Sequence, residues 1–205
     1  MRVTGSQTAS VVAGMITSWG AGHGLNGVDT RFNISGNRVK NGSVSRVDGT
    51  GYKELTGYEY LDTQLGSLKG KVKINQYQSA ESVNEWWAAR GYKSPYKTRT
   101  VVQNITLTED TKFVRVYDGV NSSLEGGWVM RAEDIKGLTP KQIQAKFALE
   151  YEPKYIGEVE LKAGDTIRLG EVGPNFGFDG GGIQIDLQQQ WIGEFREIGK
   201  IEEWR

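Results

Sequence analysis

The residues best suited to chemistry lie in a glycine-rich string near the C-terminal end, between residues 173 and 187. Three consecutive glycines, Gly180 to Gly182, precede a predicted strand, and glycine lets the backbone take positive φ angles and approach a ligand closely. Consecutive main-chain N–H groups in such a loop can form an anion-binding nest. Gln184 is the first polar side chain on the following strand, so we expect it at the mouth of the loop. A flexible hairpin connection followed by an ordinary strand glutamine is the alternative interpretation.

A second candidate is a short predicted strand around residue 115. Alternation along a strand puts Phe113, Arg115 and Tyr117 on one face and Val114 and Val116 on the other. An arginine between two aromatic side chains can offer its planar fork to a phosphate while the rings hold it by stacking. An arginine over a solvated sheet face fits the same pattern, so both interpretations stay open.

The composition removes several kinds of chemistry. With no Cys, the chain has no disulfide framework, thiol nucleophile or Cys-ligated zinc. A single histidine, His23, excludes a multi-His metal site, and its glycine-rich surroundings favour a solvated side chain. Phosphate-binding P-loop, dinucleotide-binding and calcium-binding loop motifs do not occur. Paired carboxylates of the glycosidase kind cannot be singled out among evenly spread acidic residues.

Charge and hydropathy limit the partners. The chain has 25 basic and 25 acidic side chains, but residues 1–100 carry 13 basic and 7 acidic ones, whereas residues 101–205 carry 12 and 18. A net negative C-terminal half is a poor partner for a phosphate backbone, which argues against nucleic-acid binding. Since no apolar run approaches the ~20 residues needed to cross a bilayer, we expect no membrane span.

Periodicity predicts two helices. Val83, Trp86 and Trp87 follow helical spacing in a segment from Ser79 to Arg90, where Ser79 suits the N-cap and one tryptophan is expected in the core. A second helix begins at Thr139, because Thr139-Pro140-Lys141-Gln142 has the residues of a capping box with proline in the first turn.

The remaining order is in short β-branched or aromatic runs separated by turn residues. These predict strands at 101–107, 113–117, 128–130, 155–161, 166–169, 183–187 and 191–195. The expected fold class is therefore α+β, with a mostly antiparallel sheet core, a few short helices and glycine-rich loops.

Composition also suggests a division of the chain. Residues 1–75 are rich in glycine and show no sustained periodicity, which predicts a poorly ordered or accessory segment with no secretory signal pattern. Residues 76–205 are expected to form the catalytic domain.

Three landmarks in the second half resemble a known family. In order they are Arg115-Val116-Tyr117-Asp118-Gly119, then Gly126-Gly127-Trp128, then Phe176-Gly177-Phe178-Asp179-Gly180-Gly181-Gly182-Ile183-Gln184. They resemble the tuberculosis-necrotizing-toxin type of NAD glycohydrolase domain (TNT domain), found in bacterial polymorphic toxins and fungal secreted NADases. The family's usual Asp-Arg-Phe-Gly is only partly matched at Arg115. A histidine that some relatives use has no counterpart between residues 100 and 205.

The resemblance implies a secreted toxin that hydrolyses the nicotinamide–ribose bond of NAD, and of NADP, inside the cytoplasm of a target cell. Gln184 and Arg115 would be the catalytic residues. Tyr117, Trp128, Phe176, Gly181 and Gly182 would bind the substrate. Neither metal nor bound cofactor is implied.

A toxin used in interbacterial competition also implies a cognate immunity protein as partner. The rival interpretations are an RNase-type toxin acting on tRNA or mRNA and a non-enzymatic binding module. The negative charge and missing histidine of residues 101–205 count against the RNase.

Overall fold

Antiparallel sheets and a few short helices make up the described structure, so the predicted α+β class is confirmed. The computed structural model describes residues 33–34, 37–40, 43–46 and 57–204, with side chains from residue 61 onward. The strands are β1 (Asn33–Ile34), β2 (Asn37–Lys40), β3 (Ser43–Arg46), β4 (Val72–Ser79), β5 (Val101–Leu107), β6 (Thr111–Tyr117), β7 (Trp128–Val129), β8 (Tyr155–Leu161), β9 (Thr166–Glu171), β10 (Ile183–Asp186) and β11 (Glu194–Lys200). The helices are α1 (Gly57–Leu65), α2 (Ala80–Ala88), α3 (Ala132–Ile135) and α4 (Pro140–Lys146), with single 3₁₀ turns at Gly66–Leu68 and Ile201–Glu203.

The strands pair in three sheets. Strands β1, β2 and β3 form a sheet of very short strands. Strands β4-β5-β9-β10-β7 form a five-stranded sheet, and the longer strands β11-β8-β6 form a second sheet of three. These last two are the two larger sheets, and the name three-stranded sheet is kept for β11-β8-β6. A single antiparallel bridge between Val114 and Met130 links the three-stranded sheet to the end of β7. This junction brings Arg115 of β6 beside Trp128 of β7.

Three apolar clusters hold these layers together. The first lies between the two larger sheets and includes Phe113, Ile105 and Ile185, together with Leu65 and Leu68 from the segment before β4. The second covers the opposite face of the three-stranded sheet with α3 and α4, and the third packs α2 on the outer face of the five-stranded sheet. Because both faces of the five-stranded sheet are covered, the register of its strands is fixed, and with it the face on which each polar side chain lies.

The helix boundaries follow the predicted caps. The Ser79 hydroxyl accepts a hydrogen bond from the Ser82 N–H at the start of α2. Thr139 and Gln142 form the reciprocal capping box of α4, with Pro140 in its first turn. Val83 and Trp87 are buried on α2, as the helical spacing predicts.

Two boundaries differ from the sequence-based expectation. The division between residues 75 and 76 falls inside β4, which pairs along its length with β5, so residues 61–75 belong to the folded body. The last strand is Glu194–Lys200 rather than 191–195, because its position is set by pairing with β8 and not by the apolar Trp191. The prediction of poor order for the first part of the chain, and the solvated His23, lie largely outside the described residues.

Candidate active site

A cavity of about 680 Å³ opens where the two larger sheets meet. Its walls come from the end of α2, the loops around residues 118–127, 147–153 and 172–176, and the strands β6, β7 and β10. Its volume lies within the range of roughly 300–1,000 Å³ typical of small-molecule sites. Five of the seven residues predicted from the sequence line it: Arg115, Tyr117, Trp128, Phe176 and Gln184.

Gln184 lies on β10 in the wall of this cavity. Its neighbours Ile183 and Ile185 face the core between the sheets, so alternation turns Gln184 to the opposite, cavity-lining face. The side chain is only 7% exposed, yet its amide makes no hydrogen bond within the described part of the chain. The amide is not one of the described buried polar atoms that lack a hydrogen-bond partner, because it faces the open cavity. The amide is therefore free to bind a ligand.

Arg115 projects from β6 and is held by two main-chain carbonyls. Its Nε donates to the Ser123 carbonyl oxygen at 2.9 Å, and its Nη1 donates to the Trp128 carbonyl oxygen at 2.9 Å. These two bonds fix the guanidinium and leave further N–H donors for a ligand. Burial lowers the pKa of Arg115 to about 10, while the negative charge of Glu125 opposes that shift. The side chain is thus still a cation at neutral pH.

The carboxylate of Asp118 organises the loop that supplies one of those carbonyls. It accepts hydrogen bonds from the Ser122 N–H at 2.7 Å, the Ser122 hydroxyl at 2.6 Å and the Asn121 side-chain amide at 2.8 Å. Burial alone would raise the pKa of Asp118, but the hydrogen bonds from Ser122 and Asn121 outweigh it and hold the pKa well below its usual range. Asp118 is therefore an ionised structural anchor rather than a general base.

Tyr117 and Trp128, two aromatic residues predicted to bind the substrate, each pack one face of the ring against another aromatic side chain. Tyr117 stacks on Tyr155 with ring centroids 5.5 Å apart, and its hydroxyl donates to Glu197 at 3.0 Å. Burial and that hydrogen bond raise the pKa of Tyr117 to about 12, so the hydroxyl stays protonated. Trp128 packs against Trp87 with centroids 5.1 Å apart. Both rings form rigid walls.

Phe176 and two further cations lie at the cavity rim. Phe176 has a φ of 50° and a partly exposed ring, over which the Lys93 ammonium sits 3.9 Å from the centroid. The Arg90 guanidinium lies 3.6 Å from the centroid of Trp86. In the described part of the chain, neither of these cations nor Arg115 lies within 4 Å of a carboxylate, which leaves their charge available to an anionic ligand.

Two of the main-chain N–H groups of the triple glycine are not free to form an anion nest, which favours the alternative of a hairpin connection. The N–H of Gly181 donates to the Val172 carbonyl oxygen, and that of Gly182 donates to the Lys146 carbonyl oxygen, both at 2.9 Å. Neither glycine lines the cavity. The structural requirement is steric instead, because a Cβ at Gly182 would come within 2.8 Å of the Phe147 ring. The loop serves to start β10 at the register that places Gln184.

The sequence did not single out the wall that α2 contributes. Trp87, Arg90, Tyr92 and Lys93, from the end of α2 and the turn after it, line the cavity together with Gln184. The cluster of tryptophans followed by Gly91 and two basic residues was the available signal. Helical periodicity predicted that one of the tryptophans packs in the core. Trp87 does so, but it also lines the cavity.

Searches for other kinds of site gave two negative findings. Over the residues that the structure describes, no three His, Cys, Asp or Glu side chains come together in a way that could hold a metal ion. None of the described helices has the length and apolar character to cross a membrane.

Comparison with known proteins gives no relative. No protein-family model, no curated protein and no solved structure matches the chain.

Proposed function

We propose that the chain is an NAD glycohydrolase, a toxin domain that hydrolyses the bond between nicotinamide and ribose in NAD, and in NADP. The observation that supports this most is the unpartnered amide of Gln184 in a cavity that also holds the Arg115 guanidinium. The Gln184 amide faces the cavity and has no hydrogen-bond partner in the described part of the chain, so its donors and acceptor can bind a ligand there. A ligand with both hydroxyl and phosphate groups matches the two side chains.

The proposed reaction requires little from the protein beyond positioning and electrostatics. The nicotinamide ring nitrogen is cationic in NAD, so the bond to ribose C1′ breaks with its electron pair going to that nitrogen, and neutral nicotinamide leaves without a general acid. The oxygen of water bonds to C1′ of the resulting oxocarbenium ion, and the proton is released to solvent. Gln184 would hydrogen-bond the ribose hydroxyls or orient the water as positive charge develops.

Arg115 would bind the pyrophosphate. The carbonyls of Ser123 and Trp128 occupy two donors, and the remaining N–H groups can form the paired contacts that suit a phosphate. Because the Arg115 side chain is half-buried, its attraction for an anion is stronger than at an open surface. The rim cations Arg90 and Lys93 add positive charge along the same cavity.

The aromatic walls would hold the two ring systems of the substrate. Trp128, braced by Trp87, and Phe176 at the rim present ring surfaces to the cavity. Stacking on such rings contributes roughly 0.5–1.5 kcal/mol beyond burial for each aromatic pair. We assign Trp128 and Phe176 to the nicotinamide and adenine ends without fixing which ring contacts which.

The proposed biological setting is a secreted toxin that acts in the cytoplasm of a target cell, with an immunity protein protecting the producer. Tyr151 and Phe176 line the cavity and are 41% and 36% exposed, so their apolar surface is accessible to such a partner. Expression of the chain alone should lower cellular NAD before growth stops.

The direct test is to incubate the purified full chain with NAD and separate the products by chromatography. Nicotinamide and ADP-ribose should form at equal rates, and a chelator should not slow them. A parallel incubation with tRNA tests the RNase alternative. Intact NAD after prolonged incubation with folded protein would refute the proposal, and loss of tRNA would replace it.

A further inference from the structure

A buried ion pair lies beneath the cavity wall on the same sheet face as Gln184. Asp186 of β10 is wholly buried, and its Oδ2 lies 2.5 Å from Nη2 of Arg168 on the neighbouring strand β9. The second carboxylate oxygen accepts the Gln188 N–H at 2.6 Å. Neither Asp186 nor Arg168 lines the cavity. Burying two charges this deeply is costly, so stability alone is a weak reason for the pair.

The carboxylate reaches the cavity through Trp87. The indole Nε1 of Trp87 donates to Asp186 Oδ2 at 3.3 Å. The Trp87 ring packs against Trp128, with an interplanar angle of 35°, and edge-on against Tyr92 at 5.1 Å. All three rings line the cavity. The hydrogen bond therefore sets the orientation of the ring on which the aromatic wall is built.

The same carboxylate is adjacent to both proposed catalytic side chains. Asp186 follows Gln184 by two residues on the same face of β10, and it pairs directly with Trp128 across the β10–β7 ladder. The carbonyl of that same Trp128 accepts a hydrogen bond from Arg115. A change at Asp186 is thus transmitted to Gln184 along the strand and to Arg115 through Trp128.

We propose that Asp186, held by Arg168, is a positioning residue that fixes Gln184 and Arg115 relative to each other by locking Trp87 against Trp128. It touches no substrate and takes part in no proton transfer. A misplacement of about 1 Å in a catalytic group can lower a rate by about 10². The proposal rests on the NAD glycohydrolase function for its kinetic readout.

The first test is Trp87→Phe, which keeps a ring and the ion pair but removes the indole donor to Asp186. Its kcat/KM for NAD should fall ten-fold or more at a temperature where it is fully folded. The control is Trp191→Phe, the same change at a tryptophan that is 70% exposed and does not line the cavity. That control should retain wild-type kcat and KM.

The second test is Asp186→Asn against Asp134→Asn. Asp134 forms a comparable ion pair with Arg131 at 2.7 Å, away from the cavity. Both changes should lower the thermal midpoint, because each removes an anion from a buried arginine, and Arg131 keeps only Glu133 at 3.5 Å. Only Asp186→Asn should also weaken binding of ADP-ribose, measured calorimetrically on the folded protein, by ten-fold or more.

Two outcomes separate this proposal from the proposed function. If the wild type cleaves NAD and binds ADP-ribose, and Trp87→Phe keeps its kcat, KM and dissociation constant while losing only stability, the positioning role is wrong. If the wild type binds ADP-ribose without cleaving NAD, the enzymatic function is wrong, and the dissociation constants still decide the positioning role. If it does neither, both proposals fail together.

Discussion

The guanidinium of Arg115 lies directly against the Cα of Gly126. A Cβ built on Gly126 would come within 2.1 Å of Arg115 Cζ and within 2.2 Å of its Nη2. No side chain other than hydrogen fits there while Arg115 keeps its bonds to Ser123 and Trp128. The glycine that precedes Gly127 and Trp128 is therefore a steric partner of the arginine.

Gly126→Ala should displace Arg115 without unfolding the protein, because the obstructing atoms are the far end of a flexible side chain. Since a pyrophosphate clamp is used in ground and transition states alike, KM for NAD should rise about ten-fold and kcat should change less. Steady-state kinetics and a thermal unfolding curve measure both effects.

The control is Gly164→Ala in the turn between β8 and β9. Gly164 has a φ of 97° and open space around its Cα, so alanine adds backbone strain of about 1–2 kcal/mol but no contact with the site. It should lose stability and keep KM. An unchanged KM in Gly126→Ala would show that Arg115 does not bind the substrate.

Asp118→Asn should destabilise the loop that carries the Ser123 carbonyl. Because the folded pKa of Asp118 lies below its unfolded value near 3.9, the stabilisation is fully present above about pH 4 and is lost as the pH falls through the folded pKa. We expect the wild type to exceed the variant by about 2 kcal/mol at pH 7, from charge-assisted hydrogen bonds. Urea unfolding at pH 7 and at lower pH should show this difference shrinking. A constant difference would mean that the carboxylate is not the stabilising group.

Tyr96→Phe should leave stability unchanged or raise it by up to about 1 kcal/mol. The Tyr96 hydroxyl is buried and has no hydrogen-bond partner in the described part of the chain, whereas its ring packs against Gly170 and Trp128. Burial raises the pKa of Tyr96 well above 10, so no charge is lost in the change. Tyr117→Phe is the control and should cost about 1 kcal/mol, since Tyr117 donates to Glu197. A loss at Tyr96 equal to that at Tyr117 would mean that the Tyr96 hydroxyl is hydrogen-bonded in solution.

Local patterns predicted the elements whose boundaries depend on local chemistry. The Ser79 cap, the Thr139 capping box and the strands at 101–107 and 155–161 all lie where the sequence placed them. The missed strand β4 is a polar edge strand with a register shift between Ile74 and Gln76, and only its pairing with β5 defines it. Val72 and Ile74 alternate with Lys73 and Asn75, but the register shift ends this alternation before it is long enough to predict a strand.

Site residues could be predicted from the sequence where the position of a residue on its strand decides where its side chain lies. Gln184 was expected at the mouth of the glycine loop as the first polar side chain of the following strand, and the structure places it in the cavity wall with Arg115, Tyr117, Trp128 and Phe176. The glycine loop kept two interpretations because sequence does not show which carbonyls its N–H groups meet. Carbonyls of Lys146 and Val172, from distant segments, take them.

The most direct measurement compares nicotinamide release from NAD by the wild type, Gln184→Ala and Gln103→Ala. Gln103 is also a buried glutamine of the five-stranded sheet, but it faces α1 and donates to the Leu61 carbonyl oxygen. We predict that Gln184→Ala keeps wild-type stability and loses roughly 10²–10³ in kcat, about 2.7–4 kcal/mol of transition-state stabilisation, whereas Gln103→Ala loses stability and keeps kcat. Wild-type kcat in a fully folded Gln184→Ala protein would contradict the account.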